Sequence, residues 1–456
     1  MPTLLGRVAT YVIPALSVAI TAAVLLGPGS TRKAAFARVY GAPWEGTMAL
    51  SLRIEVAERW YGIDEKAQFH DVTVEAVDDH NAFTPLRVSL DASGIGEAYI
   101  PSKDPIRDNV MVRVRRDNQV LAVGQIELYP AAKSSGSTIA PLHLPGQTSG
   151  NIKISVDARR GAMAAPFSEA IDVQVGLAEH LSPSNRGFKN IALEASAPGA
   201  EIDTPKFVTD ENGRASIKIT PQAHHIELSI TAKDEALGDG KWVGTLPVIP
   251  GAIWLESKTR RMLKFVSPVP RERAYVSLMN EKGRIFGAVI PVSLDELGSY
   301  RGTTLLPDLI DEEATHVIVA GDPQEQGSGT VAWPLQSRPV EASQRRFVRL
   351  VDGAKAAEER ERQRAYRARN VALLVVIATT VFEVLFMIAK SRQSQKRFEK
   401  NLMGFVESEP GSTDGAPSSN ILATARAEHP VLRVALAISL VLVAFSMIGA
   451  LSTLQY

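Results

Sequence analysis

Two kinds of hydrophobic spacing divide this chain. Unbroken apolar runs lie at Val8 to Gly27, Val371 to Ala389 and Val434 to Leu454, each near the twenty residues an α-helix needs to cross a bilayer. Between the first two runs the apolar positions alternate with polar ones in short stretches: Leu50, Leu52, Ile54 and Val56; Val72, Val74 and Ala76; Val110, Val112 and Val114. Period two means strands with one face buried. A second tract repeats the pattern with Val173 and Val175, Ile191 and Leu193, Ile217 and Ile219, then Ile226, Leu228 and Ile230. A third, from Ala252 to Leu335, carries Tyr275 to Leu278, Ile285 to Val289 and His316 to Val319. Turn residues at about ten-residue spacing separate the stretches, which favours antiparallel sandwiches over a helix-alternating fold.

The fold class expected is therefore mainly β, with tandem antiparallel β-sandwich domains, three transmembrane α-helices and a helical stalk. The predicted organisation runs as follows: an N-terminal signal anchor over 1-29, a first β-sandwich over 40-130 and a linker over 131-165 rich in Ser, Gly, Pro and Ala. A second sandwich follows over 166-247, then a third β domain over 252-340 and a stalk helix over 341-370 of Ala, Glu, Arg and Gln without interior Pro. A transmembrane helix over 371-389, a cytoplasmic loop over 390-430 and a last transmembrane helix over 431-456 complete the chain.

The first two tracts look like copies of one module. Val74-Glu75-Ala76 matches Leu193-Glu194-Ala195, Thr84-Pro85 matches Thr204-Pro205, Asp91-x-x-Gly94 matches Asp210-x-x-Gly213, and Pro101 matches Pro221, at offsets of 119 to 120 residues. Agreement of offset over that length is the signature of an internal repeat. The third tract shows no clear copy of the Asp-x-x-Gly turn. The stretch Thr209-Asp-Glu-Asn-Gly-Arg-Ala-Ser-Ile-Lys-Ile-Thr-Pro221 between strands resembles the immunoglobulin-like and macroglobulin-type β-sandwich modules of bacterial envelope proteins. The resemblance implies a fold and an interaction role. The thioester of complement-like macroglobulins needs a cysteine, and this chain has none, so that chemistry does not carry over.

Composition narrows the function classes. Lys plus Arg and Asp plus Glu each total 50, so no net field recruits a nucleic acid. The lack of cysteine excludes disulfides, thiolate metal sites and a cysteine nucleophile. Basic residues mark the cytoplasmic side of short loops. Lys390, Arg392, Lys396, Arg397, Lys400, Arg426 and Arg433 place the loop after the second run there, leaving the large region in the periplasm of a bacterial inner membrane. A competing basic cluster before the second run is discounted because it belongs to the long region and is partly offset by Glu358, Glu359 and Glu361.

Candidate residues follow from this layout. Glu383, beside Thr379 and Thr380, lies about two-thirds through the second run, where an ionisable group needs a partner, water or neutralisation. It reads as an intramembrane contact to a partner, with an ion or proton relay as the alternative. Ser446 and Ala450 form a small-x-x-x-small pair for helix packing. Arg362, Arg364, Arg367 and Arg369 sit where lipid headgroups would meet them. Trp60 and Tyr61, followed by Gly62, are the first candidates for a binding surface. His224 and His225 are neighbours on a strand and point to opposite faces, so they make no metal pair. No common catalytic or cofactor motif occurs. The expectation is a non-catalytic inner-membrane-anchored scaffold with no cofactor and no metal, whose partners are the lipid bilayer and envelope proteins. Two alternatives stand beside it: an accessory subunit of a transporter or ion-driven motor, and an envelope enzyme.

Overall fold

In the computed structural model the described residues are 12–26, 33–60, 62–78, 83–129, 141–177, 188–259, 262–281, 283–296, 298–306, 314–336, 347–408, 438, 441–445 and 447–449. They divide into two compact units. One comprises residues 36–57 and 66–354; the other gathers the helices with the short segment 58–65.

The first unit holds three copies of one seven-strand plan. In the first module Ala34–Gly41, Thr47–Trp60 and Ile95–Ile106 form one sheet, and Leu86–Ser89, Asp71–Val77, Val110–Arg116 and Gln119–Ile126, in that spatial order, form the other. The second module repeats it with Ile152–Ala158, Glu169–Leu177 and Arg214–Pro221 against Lys206–Val208, Ala192–Ser196, Glu227–Asp234 and Gly238–Thr245. In the third, Trp254–Thr259, Met262–Ser267 and Tyr300–Leu305 pack against Arg284–Pro291, Arg273–Met279, His316–Ala320 and Val331–Pro334. The inward residues of each strand make the cores: Ile154, Val173 and Ile217 meet Leu193, Ile230 and Trp242 in the second module, and Phe265 meets Val276, Leu278 and Val317 in the third.

The Asp-x-x-Gly turn occurs three times, not twice. At Asp91 the side-chain Oδ1 accepts the N–H groups of Ser93 (2.8 Å) and Ile95 (2.9 Å), and Gly94 takes φ +76°. At Asp210 the acceptor serves Asn212 and Arg214, both at 2.8 Å, with Gly213 at +72°. At Asp295 it serves Ser299 at 2.8 Å, with Gly298 at +78°. Each turn leads directly into a strand of its module's first sheet, Ile95–Ile106, Arg214–Pro221 or Tyr300–Leu305. Asp is suited because its short side chain caps local backbone donors, and Gly because only it takes positive φ without strain. The third copy, Asp295 to Gly298, escaped the offset comparison because it lies 85 residues after Asp210, the third module being shorter.

Several expectations change. The second module begins at Leu142, so Gly146–Gly150 and Ile152–Ala158, assigned to the linker over 131-165, are strands of its sheets. The stalk helix expected over 341-370 starts at Ala354, because Val348–Asp352 is a strand that pairs with Ala34–Gly41 and adds an edge to the first sheet. A strand of Val, Leu and Val needs that distant partner, which no local reading supplies. The first module is thus completed by residues over 300 positions downstream: Arg38 lies opposite Asp352, and Gly353 N–H bonds the Ala37 carbonyl at 2.9 Å. Asp352 Oδ1 accepts Ala354 N–H at 2.9 Å, capping the helix that follows.

That helix, Ala354–Ser408, has 55 residues, roughly 80 Å at 1.5 Å per residue. It therefore continues through the first 19 residues of the predicted cytoplasmic loop 390-430. Its stretch Ala354–Arg397 is the one among the described residues long and apolar enough to cross a membrane. Ile13–Leu26 has 14 helical residues, short of the expected span. The third run is described at too few positions for its length to be read, so three spanning helices are not established.

Candidate functional site

The chemistry-bearing side chains gather at two junctions between modules and on one face of the long helix. The first junction begins with a strand buried on both sides. In Thr47–Trp60, Leu50, Leu52 and Ile54 face the core of the first module, so alternation assigns Ser51 and Arg53 to solvent; both are buried, Arg53 completely. What covers them is the outer face of Arg273–Met279, where Tyr275 and Ser277 are likewise buried. Ile95 of the first module packs with Tyr275 and Ala320 of the third.

Arg53 lies cross-strand from Glu97 and bonds it at 2.6 Å. It also bonds Glu325 at 2.9 Å and the Pro323 carbonyl at 2.8 Å. Arg284, from the third module, reaches the other Glu97 oxygen at 2.6 Å, Ser277 Oγ at 2.9 Å and Ser51 Oγ at 3.0 Å. Ser277 Oγ in turn donates to Glu325. Two guanidinium groups and two carboxylates thus interlock across the modules, and the Phe347 ring lies 4.9 Å from one guanidinium carbon and 5.1 Å from the other. Such desolvated charges hold only as a complete set. One atom is left out: Glu325 Oε2 is buried without a partner. Burial raises the Glu325 carboxyl above its ordinary value, with Arg53 and Arg284 pulling the other way. At the rim Arg273 pairs with Asp91, the turn residue of the first module.

The second junction joins modules two and three. Arg160 bonds the Leu255 carbonyl at 2.6 Å and pairs with buried Glu169 at 3.2 Å, under the Trp254 and Trp333 rings. Phe167 stacks on Trp254 with centroids 5.0 Å apart. Ala164 enters the third module's core outright. Stacked aromatics over a paired arginine exclude water while leaving no charge uncompensated.

In the helical unit the buried residues fall into stripes. On the first helix these are Pro14, Ser17, Thr21 and Leu25; on the long helix Ala372, Val376 and Glu383 are buried, with Thr379 and Thr380 half-buried between them. Leu25, Ala372, Val376, Ala444 and Ile448 form one apolar cluster. Glu383 is 8% exposed, and its Oε1 has no hydrogen-bond partner; Thr21 Oγ1 is buried in the same condition. Thr379 and Thr380 donate to the Val375 and Val376 carbonyls at 2.9 and 2.8 Å. Ser446 and Ala450 lie outside the described residues; the third segment turns Ala444 and Ile448 inward. Arg362 pairs with Glu358 at 2.7 Å and Arg369 lies 5.6 Å from the Tyr366 ring. Arg364 and Arg367 occupy the intervening turns, ahead of the apolar stretch. Trp60 is 40% exposed at the tip of the hairpin Thr47–Trp60 to Ile63–Lys66, with Lys33 over its ring and Ile63 64% exposed beside it; Tyr61 lies outside the described residues. Arg59 ties this hairpin to Asp64 at 2.8 Å and to Glu358 at 3.5 Å. Trp242 and Trp333 are fully buried core residues, and Trp44 is buried. Among the described residues no His, Asp and Glu group has metal-ligating geometry.

Sequence reading missed Arg53, Glu97, Arg284 and Glu325. The signal available was a polar face carrying Ser51, Arg53 and Glu55 beside Glu97, ordinary for a solvated strand. Only the neighbouring module makes it an interface.

No family model matches the chain, and no curated protein does. Among solved structures, the adhesin InvE of Yersinia pseudotuberculosis is similar at 12% identity and TM-score 0.17, over 55% of this chain and 72% of that one. The native alpha-2-macroglobulin of E. coli is similar at 9% identity and TM-score 0.18, over 68% of this chain, which spans 22% of that protein. The D0-D1 domain of intimin is similar at 14% and 0.16, over 46% and 96%. At such scores these neighbours set no family and carry no functional argument.

Proposed function

We propose that the protein is a membrane-anchored, non-catalytic binding scaffold of the bacterial envelope, with its three β modules on the periplasmic side and residues 390–408 on the cytoplasmic side of the inner membrane. The observation that carries this reading is the pair of arginine-centred junctions. They join the modules into one body, in which the first sheet is closed by the strand leading into the long apolar helix. A chain meant to act as a flexible tether would leave solvated linkers between modules; this one desolvates charges at each junction instead. The partner is an envelope protein, and the lipid bilayer holds the anchor.

Two measurements test it. Because the chain lacks cysteine, single variants report topology cleanly. Ser149→Cys, on an exposed strand, reacts with a membrane-impermeant maleimide in intact spheroplasts, while Ser391→Cys reacts only after lysis; the reverse refutes the orientation. In mild detergent the full chain migrates in a discrete assembly larger than its own 49.2 kDa. Migration as a lone monomer sinks the scaffold reading. A second reading, an accessory subunit of a transporter or ion-driven motor, is favoured by one specific observation: Glu383 is buried with an unpartnered oxygen.

A further inference from the structure

We infer that Glu383, Thr379 and Thr380 form a binding site for a hard monovalent cation, sodium being the probe of choice, on the buried face of the long helix. The inference rests on the second reading above and gives Glu383 a ligand. Residues three and four positions apart on a helix share a face, so both threonine hydroxyls lie on the turn beside the Glu383 carboxyl. Each hydroxyl spends its proton on a backbone carbonyl, Val375 for Thr379 and Val376 for Thr380. Its oxygen lone pairs are then left as acceptors only.

The turn therefore presents two half-buried hydroxyl oxygens and a buried carboxylate oxygen that has no hydrogen-bond partner among the described residues. Hard oxygens of this kind suit cations that take oxygen ligands, and not soft metals. Single charge matches single charge: one carboxylate neutralises one monovalent ion, whereas a divalent ion would remain half-compensated in an apolar setting. Thr21, on the buried stripe of the first helix that ends in Leu25, has a fully buried hydroxyl oxygen likewise without a partner, and it is the candidate ligand from outside the long helix. Among the described residues no hydrogen-bond donor reaches Glu383 Oε1.

The test uses the full chain in lipid nanodiscs. A hydrophobic carbodiimide forms a stable adduct on carboxyl groups inside apolar surroundings, and peptide mass spectrometry locates it. In choline chloride, Glu383 is labelled; in sodium chloride of equal ionic strength at ten times the dissociation constant, labelling slows about tenfold. Glu383→Gln abolishes the adduct, and Thr379→Val with Thr380→Val keeps the adduct but loses the sodium protection. The melting temperature measured in parallel rises with sodium over choline in the native chain and not in Glu383→Gln. Labelling equal in both salts, or a melting temperature indifferent to sodium, overturns the site and leaves Glu383 a packing group. These readouts concern binding to the isolated chain. The accessory-subunit reading fails separately, when cells carrying Glu383→Gln keep every sodium-dependent transport or motility rate.

Discussion

Arg53→Met gives the sharpest test of the interlocked junction. The substitution keeps most of the side-chain volume and removes the guanidinium, so the loss is electrostatic and not a cavity. It deletes the bonds to Glu97 (2.6 Å), Glu325 (2.9 Å) and the Pro323 carbonyl (2.8 Å). Glu97 retains Arg284, but Glu325, 2% exposed at its side chain, keeps only Ser277 as a hydrogen-bond partner, with Arg284 acting on it through space. Breaking a buried pair by removing one partner costs about 3–5 kcal/mol, because the survivor's charge stays buried. Global unfolding of a three-module chain is not a two-state quantity, so the assay is hydrogen exchange resolved by peptide. Strands Arg273–Met279 and Ile95–Ile106 exchange about a hundredfold to several thousandfold faster, as a 1.4 kcal/mol change is tenfold. Glu227–Asp234, inside the second module, is unchanged. Glu325→Gln in the same chain recovers part of the loss by removing the stranded charge. A change below tenfold at the interface strands, or equal acceleration in the second module, refutes the reasoning.

Three further outcomes follow from the geometry. Gly287→Ala loosens the same junction by about 1–3 kcal/mol, since a Cβ built there overlaps Arg284 Nη2 and crowds the Glu97 carboxylate; unchanged exchange at Arg273–Met279 would contradict this. Asp295→Ala removes the side-chain acceptor of Ser299 N–H and costs about 1–2 kcal/mol, read as faster exchange confined to Tyr300–Leu305. His316 is buried in the third module, and burial holds its imidazole down from 6.5 to about 4. Above pH 6.5 both states are neutral; as pH falls toward 4 the unfolded chain takes a proton that the folded one refuses. Stability present above pH 6.5 is therefore lost across that window, by roughly 3 kcal/mol at about 1.4 kcal/mol per unit. His316→Gln flattens that part of the pH dependence of hydrogen-exchange protection, corrected for intrinsic rates, in strand His316–Ala320, and an unaltered slope would assign the loss to other groups.

Much of the architecture was legible in the residues. Period-two stretches such as Leu50 to Val56 and Ile226 to Ile230 named the strands and their core faces, because alternation and burial on one side are the same constraint. The Asp91 and Asp210 turns were legible for the same local reason: side chain, backbone and glycine lie within five residues. The apolar run from Val371 was legible as a helix long enough to cross a bilayer, and Glu383 stood out within it. Longer-range facts were not available from the sequence. Val348–Asp352 becomes a strand only because Ala34–Gly41 offers its edge, and the stalk shortened accordingly. Arg53 and Arg284 look like surface charges until a second module desolvates both. Hydrophobic period reports which face of a strand leaves water within its own module; which polar face is covered next depends on packing between segments more than 200 residues apart, and no local pattern encodes that.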